Sequence, residues 1–83
     1  DKMLSATISG YIGEGVIAKG LGALQERYPM LEIGSYPFFR QGRFGASFVI
    51  RGTESDAIKA ASEELRGIIR GLGAEPIEGE PQE

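Results

Sequence analysis

The spacing of apolar residues changes period repeatedly along this chain, and that alternation leaves it few folds. Residues 4–11, LSATISGY, set Leu4, Ala6 and Ile8 against Ser5, Thr7 and Ser9. Period two is a strand with one face buried. After the glycine-rich stretch SGYIGEGVI, Ile17, Leu21, Leu24 and Tyr28 fall at i, i+4, i+7 and i+11, the stripe of a helix. Gly20 and Gly22 inside that helix each cost about 1 kcal/mol relative to alanine, so packing must hold it together. Glycines so placed usually let a neighbouring backbone come close. Pro29 ends the helix, because the residue before a proline is pushed out of the α region.

The second half repeats the alternation. Residues 31–39, LEIGSYPFF, begin as a strand, in which Pro37 removes a ladder donor and so points to a sheet edge or a bulge. RQGRFG reads as a hairpin loop with Gly42 and Gly45 free to take positive φ, and residues 46–51 as the returning strand. The run from Thr53 to Gly73 is the clearest helix. Thr53 and Asp56 fit a capping box, and Ile58, Ala61, Leu65, Ile68 and Leu72 form the buried stripe. Acids crowd its start and Arg66 and Arg70 its end, as the helix dipole favours, and Gly73 suits the C′ position. Residues 1–76 are thus expected to form a single α+β domain. The order is β-α-β-β-α, a two-layer sandwich with both helices on one face of a mainly antiparallel sheet, KH-like or ferredoxin-like. Residues 77–83 are expected to be an acidic, frayed tail, with a short fourth strand around Ile77 left open.

Eighty-three residues with neither cysteine nor histidine exclude most site chemistry at once: zinc-thiolate centres, thiol nucleophiles and His-based general bases. No catalytic group is expected, since Ser9 and Ser35 have no histidine to activate them and Glu63 with Glu64 reads as solvated charge on a helix face. No metal site is expected either. The lack of cysteine and of any apolar run near 18 residues fits a cytoplasmic chain with no membrane segment. Because the chain opens on Asp1, it reads as a piece of a longer protein or a processed one. A net charge of −3 makes nucleic acid an unfavoured partner. The charge is nonetheless uneven. Arg40, Arg43 and Arg51 are the only charges from Ile33 to Thr53, whereas Ala74 to the end carries four glutamates and no base.

Two surfaces stand out. The glycine loop could cradle phosphate at the helix start, but Glu14 puts its own carboxylate there and the spacing fits neither known phosphate fingerprint. Gly10-Tyr11-Ile12-Gly13 also spells the GxxG of a KH domain, as does Gly42-Arg43-Phe44-Gly45. Against both stands the plain reading of a tight strand-to-helix turn, with Glu14 holding the helix N-terminus. The second surface is the hairpin, where five of the seven aromatics lie between Tyr36 and Phe48, interleaved with Arg40 and Arg43. Phe38 and Phe48 read as core, and Phe39 and Phe44 as interface candidates. Tyr36 with the two arginines could meet a flat ring and a phosphate.

The run from Ile8 to Gly52, with its turn Tyr11-Ile12-Gly13-Glu14-Gly15 and its strand Ile33-Gly34-Ser35-Tyr36-Pro37, resembles the domain after the molybdopterin-binding-like domain in competence/damage-inducible protein A (CinA) relatives. The GSYP stretch also looks like one in the molybdopterin-binding-like portion of FAD synthases. The resemblance implies a KH-like, C-terminal accessory domain without cofactor of its own. Its implied partner is an upstream molybdopterin-binding-like domain of the same chain, or a second copy. The parent would act on a dinucleotide pyrophosphate, with a molybdopterin-like or nucleotide ligand and a divalent metal held upstream. Glu14, Ser35 and Tyr36 carry over as edge contributors to that neighbouring site, and Glu14-Gly15 departs from the family's Glu-Ser/Thr. The reading is therefore a non-catalytic accessory and assembly domain. A part in the parent's nucleotide or pterin/FAD-type pocket and a KH-like RNA-binding module are the alternatives.

Overall fold

The computed structural model describes residues 2–80. In chain order the elements are β1 (Leu4–Gly10), α1 (Glu14–Arg27), β2 (Glu32–Arg40), β3 (Arg43–Gly52), α2 (Ser55–Gly71) and β4 (Ile77–Glu78). The sheet runs β2-β3-β1-β4 and every neighbouring pair is antiparallel. This is the expected α+β architecture, with the fourth strand present. Of the two folds anticipated, its β-α-β-β-α-β order is the ferredoxin-like one.

Directly opposed residues share a sheet face. Ile8 opposes Phe48, and Ala6 and Ile33 flank Ile50 from either side. That face receives Ile17 and Leu24 of α1 and Ile58, Ala61, Leu65 and Ile69 of α2, all buried. The α2 stripe therefore differs from expectation at its end. At about 100° per residue Ile69 lies roughly 20° from Ile58, and Ile68 about 80° to the other side. Ile68 instead turns toward α1, where a β-carbon on Gly20 would stand 2.9 Å from its Cγ2. Gly20 thus admits a side chain rather than a backbone, while Leu72 stays exposed. The expected capping box is also not formed: Glu54 is the N-cap, with no side-chain hydrogen bond, and Asp56 supplies the acid of the first turn.

The outer edge of β2 is closed by side-chain chemistry. Gln25 of α1 accepts from Ile33 N at 3.1 Å and donates to Leu31 O at 2.7 Å and Tyr28 O at 3.1 Å. The Ile33 N–H therefore points away from β3, and by period two so does the position of Pro37. Pro37 lies on an edge strand and removes no ladder bond.

Residues 77–80, expected in the frayed tail, include a strand with firm anchors. Gly79 N donates to Thr7 O at 2.8 Å, and buried Ser9 Oγ lies 2.8 Å from Ser47 Oγ and donates to Gly79 O. Arg66 grips Glu78 through Nε at 2.7 Å and Nη2 at 2.9 Å, which holds the Glu78 carboxyl below its ordinary range. The last three residues of that expected tail lie outside the described residues.

The two helices are joined at Glu64, which accepts from Arg27 Nε at 2.8 Å and from the Tyr28 hydroxyl. The Tyr28 bond is the main cause of both shifts, lowering Glu64 below 4.5 and raising Tyr28 above 10.0. A depressed carboxyl contributes stability that is full above its ordinary value and fades as pH falls through its folded value; a raised phenol contributes below its ordinary value and fades as pH rises through its folded one. Thermal melts across pH should therefore fall off below about pH 4.5 and above about pH 10, and Tyr28→Phe should flatten both limbs. Glycine substitutions separate packing from propensity. Gly22, with open space around it, should gain about 0.5–1 kcal/mol as alanine in a denaturant titration. Gly45→Ala should lose about 1–3 kcal/mol, because its β-carbon would fall 2.6 Å from the Gly10 carbonyl oxygen.

Candidate functional site

The hairpin turn is shorter than the sequence implied. β2 and β3 stay paired to Arg40 and Arg43, and only Gln41 (φ 54°) and Gly42 (φ 73°) bridge them. Positive φ at both central residues is the type I′ signature, which matches the twist of the strands. Gly45 is a strand residue without positive φ, and its lack of a β-carbon serves the Phe38 ring, which would otherwise stand 2.5 Å away.

The two faces of this hairpin carry different chemistry. Phe39 opposes Phe44 on the helix-bearing face, with ring centroids 4.7 Å apart. Yet these rings are 59% and 74% exposed, whereas Phe48 on the same face is fully buried. On the helix-free face, Phe38 meets Tyr11 edge-on at 5.4 Å. Arg43 stands 4.0 Å over the Tyr11 ring and Arg40 5.7 Å over the Phe38 ring. Phe38 therefore belongs to this second, smaller layer and not to the helix-side core. Arg40 also faces Glu80, at 3.9 Å.

The five expected ligand residues fall into three places. Glu14 and Ser35 meet on the helix side, where Ser35 Oγ donates to Glu14 Oε2 at 2.7 Å. Glu14 is the acid of the first turn of α1, whose N-cap Gly13 has no side chain to offer. Arg40 and Arg43 share the helix-free face with Tyr36, but the Tyr36 ring lies back along β2 toward Gly34. Tyr11 takes the ring position beside Arg43 that the sequence had given to Tyr36. Only the register of β1 on β3 brings Tyr11 to this end of the sheet, so no local signal marks it.

A cleft of about 220 Å³ opens beside this layer, lined by Tyr11, Arg43, Gly73, Ala74, Glu75 and Ile77. It is mixed in charge, with both Arg43 and Glu75 in its lining. Among the described residues no group of three or more carboxylates could hold a metal ion, and no helix is long and apolar enough to cross a membrane.

The architecture and this surface define a small ferredoxin-like α+β domain whose distinctive element is an aromatic and arginine hairpin. The chain belongs to the FAD synthase middle-domain family, which matches residues 2–74. Of the two likenesses carried by the sequence, the family match supports the FAD synthase one, and it names the middle domain rather than a molybdopterin-binding-like portion. No match is found among curated proteins. Among solved structures, the de novo designed protein Foldit4 superposes with a TM-score of 0.73 at 16% identity, over 98% of this chain and 100% of that one. A C-terminal segment of the alpha subunit of aIF2 from Pyrococcus abyssi gives 0.52 at 13% identity, over 96% of this chain and 51% of that one. At such identities these two likenesses concern the fold alone.

Ser35→Ala isolates the Glu14 contact. It should cost about 1 kcal/mol in a denaturant titration, the worth of one half-buried hydrogen bond, with the β2 amide shifts otherwise unchanged.

Proposed function

We propose that this chain is a non-catalytic accessory and assembly domain of a larger nucleotide-handling enzyme of the FAD synthase type. It docks on a neighbouring domain of its parent through the end of the β2–β3 hairpin. The observation that carries this reading is the Phe39–Phe44 pair, two large rings left more than half exposed at the end of an otherwise ordered sheet. Exposed aromatics of this kind mark interaction surfaces, and aromatic anchors dominate their energetics. Tyr36, 58% exposed on the same strand, lies on the opposite face and is not part of this patch. A middle domain has neighbours by definition, and this supplies the occupant: the upstream, molybdopterin-binding-like domain. A second copy is the competing partner, and a CinA-type parent the finer assignment. The pyrophosphatase-like chemistry, its metal and its nucleotide or molybdopterin-like ligand would then lie in that neighbour, with Glu14 and Ser35 at the border.

A second reading is favoured by the arginines over Tyr11 and Phe38. Stacked guanidinium groups suit a phosphate, so this domain would complete one wall of the parent's nucleotide pocket. RNA binding is the weaker relation of that idea. The β3 rings Phe44 and Phe48 face the helix side, so on the open face β3 itself presents no ring for base stacking.

Phe39→Ser with Phe44→Ser tests the docking directly. The isolated domain should lose no more than about 1 kcal/mol, the worth of an aromatic pair. In the parent, the same change should free the domain, seen as faster proteolysis at its linkers. Unchanged linker cleavage would contradict docking through this end.

A further inference from the structure

The two edges of the sheet are guarded unequally. The β2 edge has Gln25 against Ile33, the proline at 37 and the charge of Glu32. The β1 edge is covered by β4 only at Ile8 and Ser9, and by Gly79, whose N–H reaches Thr7 O at 2.8 Å. There the chain leaves the edge. Gly79 takes φ +76° and its carbonyl goes to the buried Ser9 hydroxyl, on the open face. Among the described residues, no strand lies beside Leu4–Ala6 on that side.

Backbone direction alternates along a strand. The Thr7 carbonyl points to this edge, so both groups of Ser5 do as well, and the pattern continued one step reaches Met3. Leu4 and Ala6 point to β3. The stretch Leu4–Thr7 holds no charge, no proline and no bulge, the devices that normally blunt an edge. Such an edge is a template for a further strand.

The residues fit a second copy running antiparallel, with Leu4 opposite Leu4. Ser5 then opposes Met3 of the second copy and exchanges both backbone bonds with it, and the two-fold axis repeats the pair. Leu4, half-buried on the helix-bearing face, is covered by its twin, and Met3, 52% exposed, gains a neighbour. Lys2 of the second copy falls opposite Ala6. Glu78 already stands opposite Ile8, so the two follow each other along one edge and on one face. The ammonium thus comes to an acid whose side chain is 65% exposed even with Arg66 bound to it. Centring the pair on Ser5 instead would put Met3 of the second copy opposite Thr7, a place that Gly79 holds.

We propose that the free edge of β1 is an interface between two copies of this chain, joined antiparallel about Leu4 into one continuous sheet. Leu4 pairs with Gly52, whereas Phe44 lies at the opposite end of β3. The interface is therefore separate from the Phe39–Phe44 surface, and docking there stands or falls independently.

Sedimentation velocity of the 83-residue chain, from micromolar to millimolar, reads the association first. A monomer–dimer equilibrium is expected. Ser5→Pro should weaken it about tenfold or more, because the Ser5 N–H bond is lost on both sides of the axis. Proline is tolerated at an outward-facing edge position, so the amide fingerprint should otherwise persist. Lys2→Glu should weaken the dimer several-fold, and less so at high salt. Cysteine variants read the register. Leu4→Cys should form an intermolecular disulfide on mild oxidation, since opposed residues of a non-hydrogen-bonded pair lie about 4.5 Å apart, within disulfide reach. Ser5→Cys, more exposed but without an opposing twin, should crosslink more slowly. Should the proline unfold the strand, Lys2→Glu and the cysteine comparison carry the same decision. A chain that stays monomeric at millimolar concentration would overturn the inference. So would a dimer that survives Ser5→Pro, one that Phe39→Ser with Phe44→Ser dissolves, or faster crosslinking of Ser5→Cys than of Leu4→Cys.

Discussion

At Gly45 a β-carbon would fall 2.5 Å from the Phe38 ring and 2.6 Å from the Gly10 carbonyl oxygen, and this end of the sheet is arranged around that close approach. Because Gly45 is bare, Phe38 can lie across β3 and reach Tyr11. Because Gly10 is bare on the opposite face, Ile69 can pack there, 3.3 Å from where a β-carbon would stand. One end of the β1–β3 pair thus serves two layers. The helix side is the main core, and the helix-free side is a thin layer of Tyr11, Phe38, Ser9 and Ser47, where the Gly79 carbonyl accepts from Ser9.

That division explains how one hairpin can carry two kinds of surface. Strand periodicity sends Phe39 and Phe44 to the helix side, past the residues that the helices cover, where they remain in solvent. The same periodicity sends Phe38, Arg40 and Arg43 to the other face, where rings and guanidinium groups meet. Exposed rings and guanidinium groups thus stand a few residues apart on opposite faces of one hairpin. Gln25 closes the outer edge at Ile33, Pro37 offers no donor there, and Glu64 ties α1 to α2.

Local patterns made most of this fold legible. Alternation marked β1, β2 and β3, and the stripe marked α1 and α2, because each element buries one face against a single layer. The turn was harder to place. Gly42 and Gly45 look alike in sequence, and only the pairing of Phe38 with Gly45 distinguishes a positive-φ residue from one that makes room for a ring. The α2 stripe was misread by one residue at its end, although helix geometry alone favours Ile69 over Ile68. The site was less legible than the fold. The nearness of Glu14 to Ser35, and of Tyr11 to Arg43, depends on strand register and on how α1 lies over β2. Neither leaves a trace in local spacing. Tyr36 seemed the natural stacking partner for the arginines by proximity in sequence, but it leans the other way along its strand.

A docked hairpin should be protected in the assembled parent and open in the isolated domain. Amide hydrogen exchange followed by mass spectrometry compares the two states directly. The central claim predicts slower exchange in the parent confined to residues 36–46, with the helices and β1 unchanged. Equal exchange of that segment in both states, or protection confined to the helices, would contradict it.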